Sequence, residues 1–163
     1  MPKLTLSARL LAIGVLLGAS LASANEVADT SIVVDTSALP AITGAAGDAN
    51  PYRGNPRAAD IGRHAFNRAC ARCHGPDADN KGQVGPDLLK LDRACSRIAD
   101  PAIREMCIAD NDQYFLKSVQ YGKTRVGVVH MPAWKDVLPP AAIWTIRTFL
   151  ESRSRPAAPA ASR

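Results

Sequence analysis

Aromatic residues are scarce in this chain of 163 residues. Phe, Trp and Tyr together make up 5% of it, whereas hydrophobic residues of all kinds make up 47%. A small domain with few aromatic side chains often needs a disulfide, a metal or a cofactor to fold stably. The scarcity therefore argues against an unaided hydrophobic core and directs attention to the four cysteines.

A concentrated stretch of basic charge is also missing. The formal net charge is +5, but the 20 Lys and Arg residues are scattered, and no run of them is interleaved with aromatic residues. Proteins that bind nucleic acids concentrate basic charge on one face or along one helix. We therefore expect no nucleic-acid partner and interpret the charged residues as a solvated surface.

Only one long apolar run occurs, and it lies near the N-terminus. Residues 1–9 contain Lys3 and Arg9 but no acid, residues 10–21 are apolar, and the small residues 22–24 follow. This order is typical of a secretory signal peptide, and the run is shorter than the roughly 20 residues that a membrane-spanning helix needs. We expect cleavage after residue 24, which lowers the formal charge from +5 to +3 by removing Lys3 and Arg9. The mature protein is then expected to be periplasmic, in an oxidising compartment, and not to span a membrane.

The rest of the chain divides into an arm, a domain and a tail. Residues 25–57 contain many turn formers and predict an extended N-terminal arm. Residues 58–153 predict one all-α domain with long loops, and residues 154–163, rich in Ala, Pro and Ser, predict a disordered tail. The helices are predicted over about 59–71, 98–109, 112–121 and 141–153, with Asp60 capping the first and an irregular segment over 123–140.

The sequence Cys70-Ala71-Arg72-Cys73-His74 is the spacing of c-type haem attachment. Two thiols three residues apart lie on one face of a helical turn, where they can add to the two vinyl groups on one edge of a haem. His74 then lies beneath the ring and supplies its imidazole to the iron. Because the motif occurs once, we expect one covalently bound haem c.

Two other roles of a C-x-x-C sequence fit less well. A thioredoxin-like redox pair begins a helix after a strand, whereas Cys70 and Cys73 come at the end of a predicted helix. A closed zinc site needs two further ligands at matching spacing. Cys95 and Cys107 have no partner His nearby.

Cys95 and Cys107 remain as an even pair outside the motif. In an oxidising compartment such a pair is expected to form a disulfide, which would contribute about 2–4 kcal/mol. Two free thiols or an intermolecular bond are the alternatives.

The iron needs a second axial ligand opposite His74. Met131 is favoured, because it lies in the irregular segment and the following Pro132 stiffens the backbone. Thioether ligation also raises the reduction potential, whereas His130 would give a bis-His iron of low potential. Met106 is a third candidate, although its place in a predicted helix favours a role in core packing.

Pro86 is a candidate to support the first ligand. A metal-bound histidine usually donates its other ring N–H to a carbonyl or carboxylate, and the Pro86 carbonyl could accept it from His74. The alternative is a simple turn proline.

The chain resembles the class I cytochromes c. Gly62 and Phe66 match the family's N-terminal helix, and the aromatic of its C-terminal helix is matched by Ile143 and Trp144. Two further family motifs match Gly85-Pro86 with Leu88 and Met131-Pro132. The resemblance implies the class I fold, in which the N- and C-terminal helices cross beside a haem-bearing core.

A narrower resemblance is to the PedF-type cytochromes c, which accept electrons from quinoprotein (PQQ) alcohol dehydrogenases. It lies in residues 34–39 and 50–55 of the arm, in the extra cysteine pair and in residues 131–134. The resemblance implies such a dehydrogenase as the electron donor.

These observations predict a monomeric one-electron carrier rather than an enzyme. Two fixed axial ligands leave no open coordination position, and the acceptor is expected to be a terminal oxidase or another cytochrome. Arg72, Lys81 and Lys135 are candidates for a basic docking rim near the haem edge. The alternative is a haem enzyme or a gas-binding cytochrome with an open sixth coordination site.

Overall fold

The computed structural model describes residues 25–42 and 49–154. The helices are α1 (Pro56–Ala69), α2 (Ala71–His74), α3 (Pro101–Tyr121) and α4 (Pro140–Ser154). Short 3-10 helices span Pro76–Ala78, Leu88–Lys90 and Cys95–Arg97, and strands β1 (Lys123–Arg125) and β2 (Val128–Met131) complete the order. The predicted signal peptide and residues 155–163 of the predicted tail lie outside the described residues. Ser154 belongs to α4, so the predicted tail boundary is one residue early.

Helices α1 and α4 pack directly against each other, as the resemblance implied. Gly62 lies against the backbone of Thr145, so closely that a Cβ atom at position 62 would overlap the Thr145 carbonyl oxygen. The rings of Phe66 and Phe149 meet with their centroids 5.5 Å apart. Trp144 is fully buried on α4. The close backbone approach at Gly62 allows these large side chains to form the centre of the core.

The first helix begins earlier than predicted. The side chain of Asn55, not Asp60, caps α1 by accepting hydrogen bonds from the backbone N–H groups of Arg57 and Ala58. Pro56 follows at the first helical position, where its missing N–H is not needed. The helix ends at Ala69, so Cys70 stands between α1 and α2.

The two helices predicted over 98–109 and 112–121 are one helix, α3. The polar residues 110–112 between the two predicted helices suggested a helix break. In the structure, the side chains of Asn111 and Asp112 form hydrogen bonds with residues outside the helix. Asn111 donates to the Leu91 carbonyl oxygen at 3.0 Å, and Asp112 is fully buried against Arg147. Because these groups have partners outside the helix, they do not compete with its backbone hydrogen bonds.

The segment predicted to be irregular contains an antiparallel hairpin, so the all-α prediction is wrong in this detail. Strands β1 and β2 pair with Thr124 opposite Val129 and Arg125 opposite Val128. The two-residue turn between them has positive φ at Val126 (48°) and Gly127 (77°). Positive φ at both turn positions matches the twist of a hairpin. A valine in this conformation is unusual, which explains why the sequence did not indicate a turn.

The arm is packed against the domain. Ile32 and Leu39 are buried in the hydrophobic core, although the residues around them form no strand. Tyr52 is also buried, and its hydroxyl donates to the Pro40 carbonyl oxygen at 2.9 Å. The described part of the arm therefore contributes side chains to the core and contains turns but no helix before α1.

A buried charge cluster joins the arm to α3 and α4. Arg147 is 1% exposed and donates to Asp112 at 2.7 Å and to Asp92 at 2.8 Å. Arg53 of the arm pairs with the same Asp112 and, at 3.1 Å, with Glu151. Burial raises the pKa of Glu151, opposed by the positive charges of Arg147 and Arg53. Although burial disfavours its charged form, the carboxylates around Arg147, Asp92 first, raise the pKa of this guanidinium.

No helix among residues 25–42 and 49–154 is long and apolar enough to cross a membrane.

Candidate haem site

Cys70 and Cys73 lie on one tight turn between α1 and the end of α2. The N–H groups of Cys73 and His74 both donate to the Cys70 carbonyl oxygen, at 3.1 and 3.0 Å. Both thiols are free and partly buried. Burial, and secondarily the neighbouring Cys73, raises the pKa of the Cys70 thiol to about 12. This environment therefore favours the protonated thiol of Cys70.

The imidazole of His74 is held by one backbone oxygen. Its Nδ1 lies 2.9 Å from the Pro86 carbonyl oxygen, and the residue is only 9% exposed. A carbonyl oxygen accepts hydrogen bonds but cannot donate them, so Nδ1 carries the proton in this contact. Nε2 is thereby left with its lone pair, the form in which a neutral histidine binds a metal. The contact expected between Pro86 and His74 is present.

Gly85 allows the chain to pass directly beside this ring. A Cβ atom at position 85 would lie 2.7 Å from both His74 Nδ1 and the Cys73 carbonyl oxygen. The Gly85 N–H donates to that same oxygen at 2.8 Å, and Asn80 donates to the Gly85 carbonyl oxygen at 2.7 Å. The Gly-Pro pair therefore joins the loop to the haem motif, and Asn80 is a supporting residue that the sequence did not indicate.

Two side chains of α1, Arg63 and Asn67, bind Asp77 in the segment that follows His74, and we call this contact the clamp. Asp77 adopts a positive φ of 52°, unusual for a residue other than glycine, and Ala78 follows at 62°. Arg63 donates two hydrogen bonds to the Asp77 carboxylate, at 2.8 and 2.7 Å, and Asn67 donates a third at 2.6 Å. These donors, Arg63 first, lower the pKa of Asp77 well below its usual range. Nothing in the residue spacing indicated this clamp.

The three candidates for the second ligand differ in burial. Met131 ends β2 and is partly buried against the hydrophobic core. His130 is exposed, and side chains of successive strand residues point to opposite faces. Met106 is 68% exposed, so its predicted role in core packing is wrong. Exposure follows from its position on the outer face of α3.

Cys95 and Cys107 are joined as a disulfide, with their Cα atoms 5.6 Å apart. The bridge links the 3-10 helix Cys95–Arg97 to α3. Asn111 Nδ2 lies 3.2 Å from the Cys95 sulfur and also donates to Asp92. The disulfide, the Asn111 side chain and the buried charge cluster therefore together connect the chain around Asp92 and Cys95 to α3 and α4.

Two of the three candidate docking residues have acidic neighbours. Arg72 pairs with Glu26 of the arm, and Lys81 lies 3.4 Å from Asp79. Lys135 is exposed.

These residues fit a covalently attached haem. Two free thiols lie one turn apart, and an imidazole whose Nδ1 is already engaged by the Pro86 oxygen follows on the same turn. Trp144 Nε1 is buried with no partner among the described residues, so the interior near α4 also offers one unused donor. Within those residues, no group of three or more His, Cys, Asp or Glu is arranged to hold a metal ion, as the zinc alternative would require.

A C-x-x-C-H turn at the end of a helix that packs on the C-terminal helix defines a c-type cytochrome. The chain belongs to the cytochrome c family: the model described as "Cytochrome C oxidase, cbb3-type, subunit III" matches residues 57–150. The chain is also similar to cytochrome c550 of Pseudomonas aeruginosa, with 35% identity over 127 residues, 76% of this chain and 77% of the relative. No solved structure matches the chain. Family membership confirms the prediction of covalently bound haem c and of electron transfer.

Proposed function

We propose that the protein is a periplasmic monohaem electron carrier with its haem attached through Cys70 and Cys73. His74 and Met131 are the axial ligands in this proposal. The observation that carries it is the hydrogen bond from His74 Nδ1 to the Pro86 oxygen at 2.9 Å, which directs the other ring nitrogen to a metal.

Each residue has one task. Cys70 and Cys73 would hold the haem covalently, each S–H adding across one vinyl C=C bond so that sulfur bonds one carbon and the proton goes to the other. Haem c, when bound, supplies an iron that accepts and releases one electron. His74, held by the Pro86 oxygen, and Met131, at the end of β2, would hold the iron, and ligands that stay bound in both oxidation states would keep the reorganisation on electron transfer small.

The periplasm is proposed from two features. Residues 1–24 have the pattern of a signal peptide, and the Cys95–Cys107 disulfide is typical of an oxidising compartment.

A quinoprotein (PQQ) alcohol dehydrogenase is the proposed donor, and a terminal oxidase or another cytochrome the proposed acceptor. The resemblance of the arm and of the extra cysteine pair supports the donor. The arm contributes Ile32 and Leu39 to the core, and Cys95 of the extra pair is buried and bonded to Cys107. The description of the matching family names an oxidase subunit, which supports an oxidase as acceptor.

Two measurements on the purified mature protein test for the haem and for its filled sixth coordination position. A pyridine haemochrome spectrum should show one c-type haem per chain, and its absence would end the proposal. Carbon monoxide should bind slowly or not at all to the reduced protein at neutral pH. Rapid binding would favour the alternative with an open sixth site.

The donor is tested by mixing the oxidised cytochrome with a co-expressed PQQ alcohol dehydrogenase. Reduction should follow addition of alcohol and should not occur in the matched mixture without alcohol. A cytochrome that stays oxidised with an active dehydrogenase would remove this donor while leaving the electron carrier intact.

A further inference from the structure

The first two described residues of the arm contact both sides of the proposed haem site. The Glu26 carboxylate pairs with the guanidinium of Arg72, which stands between the two motif cysteines. The Glu26 backbone N–H donates to the Val129 carbonyl oxygen at 3.1 Å, and the Val129 N–H donates to Asn25 Oδ1 at 2.9 Å. We call Asn25 and Glu26 the arm strap. It joins the haem-attachment turn to a strand residue two positions before Met131.

The hairpin needs such support. A two-stranded hairpin is marginal by itself in water, and the strap satisfies both backbone groups of Val129 on an otherwise open edge. On the other side of Met131, the N–H groups of Trp134 and Lys135 donate to the carbonyl oxygens of Val119 and Gln120, at 2.9 and 3.2 Å. Met131 therefore lies between one anchor on α3 and one anchor formed by the strap.

We propose that Asn25 and Glu26 are positioning residues that hold the hairpin against the haem-attachment turn and so keep the Met131 thioether on the iron. This inference rests on the proposed function. Without the strap, β2 is released from the Arg72 side, and the thioether leaves the iron more often. A small ligand from solution can then occupy the vacated coordination position.

The experiment is a titration of the ferric holoprotein with imidazole, followed by loss of the far-red charge-transfer band of His/Met ligation. Glu26→Gln should increase the apparent imidazole affinity about two- to fivefold, the effect expected from losing an exposed ion pair. Arg72 is 71% exposed, so the increase should shrink at high salt, where the unaltered protein also loses the attraction. A purely structural defect would not follow salt in this way.

Asp35→Asn is the matched control. It removes one carboxylate from the same arm, but Asp35 bonds its own neighbour Ser37 rather than the haem motif. Its imidazole affinity should equal that of the unaltered protein. Asn25→Ala should increase the apparent imidazole affinity as Glu26→Gln does. Asn25→Asp keeps the acceptor for the Val129 N–H, so its imidazole affinity should be close to that of the unaltered protein.

Charge exchange gives a second, independent measurement. Glu26→Arg and Arg72→Glu should each increase imidazole affinity, and the double variant should return it toward the original value. Equal affinities in Glu26→Gln and Asp35→Asn, in a protein with a normal far-red band, would overturn the strap alone. Absence of the band from the unaltered holoprotein would instead contradict Met131 as ligand, and the strap with it.

Discussion

His74 Nδ1 donates to the Pro86 carbonyl oxygen at 2.9 Å, while the intervening Gly85 donates its own N–H to Cys73 at 2.8 Å. Two residues of one loop thus hold two residues of the haem motif. The backbone of this loop therefore fixes the orientation of the His74 ring.

Gly85→Ala should lower the yield of haem-attached protein and destabilise it by about 1–3 kcal/mol, the usual effect of crowding a packed site. The new Cβ would lie 2.7 Å from His74 Nδ1, so the ring must move away from the Pro86 oxygen. Pyridine haemochrome yield and denaturant unfolding measure the two effects. Gly82→Ala is the control for haem yield, because a Cβ there meets nothing within 4 Å, although its positive φ of 70° makes alanine lower the stability of this variant as well. Equal haem yields from both variants would contradict the crowding argument.

Met131→Ala should abolish the far-red band of the ferric protein and let the reduced protein bind carbon monoxide. His130→Ala and Met106→Ala are the controls. His130 and Met106 are exposed, and their loss should leave the band in place. A band that survives in Met131→Ala but disappears in one of the controls would assign the ligand to that residue instead.

Arg147→Met should lower the free energy of unfolding by about 3–5 kcal/mol, because Asp112 and Glu151 stay buried with only Arg53 to neutralise them. Chemical denaturation of the holoprotein measures the change. Arg125→Met, at an exposed position of β1, should change stability by less than about 0.5 kcal/mol. A loss no larger than in this control would mean that Arg53 alone neutralises the cluster.

Glu151 should make stability depend on pH in the direction opposite to most carboxylates. Burial raises its pKa in the folded state, so the native protein binds this proton more tightly than the unfolded chain. The contribution of Glu151 to stability is therefore largest at pH values below its pKa in the unfolded chain. It falls as pH rises through the raised pKa of the folded protein.

Denaturant unfolding across pH compares Glu151→Gln with the unaltered protein. The variant should gain stability relative to the unaltered protein as pH rises from about 4 to 7. A stability difference that stays constant across this range would show that Arg147 and Arg53 fully offset the burial of Glu151.

The sequence predicted the parts of the fold that depend on local spacing. Helix α4 is where its apolar pattern and Pro140 indicated, although residues 142–151 are buried on every side of the helix rather than along the one predicted stripe. The start of α1 and the continuity of α3 were predicted wrongly. In both places a short polar residue is compatible with a helix cap, a helix break or a tertiary contact. Asn55 caps α1, and Asp112 accepts a hydrogen bond from Arg147 instead of interrupting the helix.

The haem motif was determined by the sequence alone, because Cys70, Cys73 and His74 fall on one turn and need no distant contact to come together. The disulfide partners followed from cysteine count, and membership of the cytochrome c family agrees with the motif. Only the tertiary structure decided how the site is supported. Arg63 meets Asp77, Glu26 meets Arg72, and Arg147 meets Asp112 across separations that carry no periodic signal. Such pairs depend on how whole helices pack, so no local pattern could predict them.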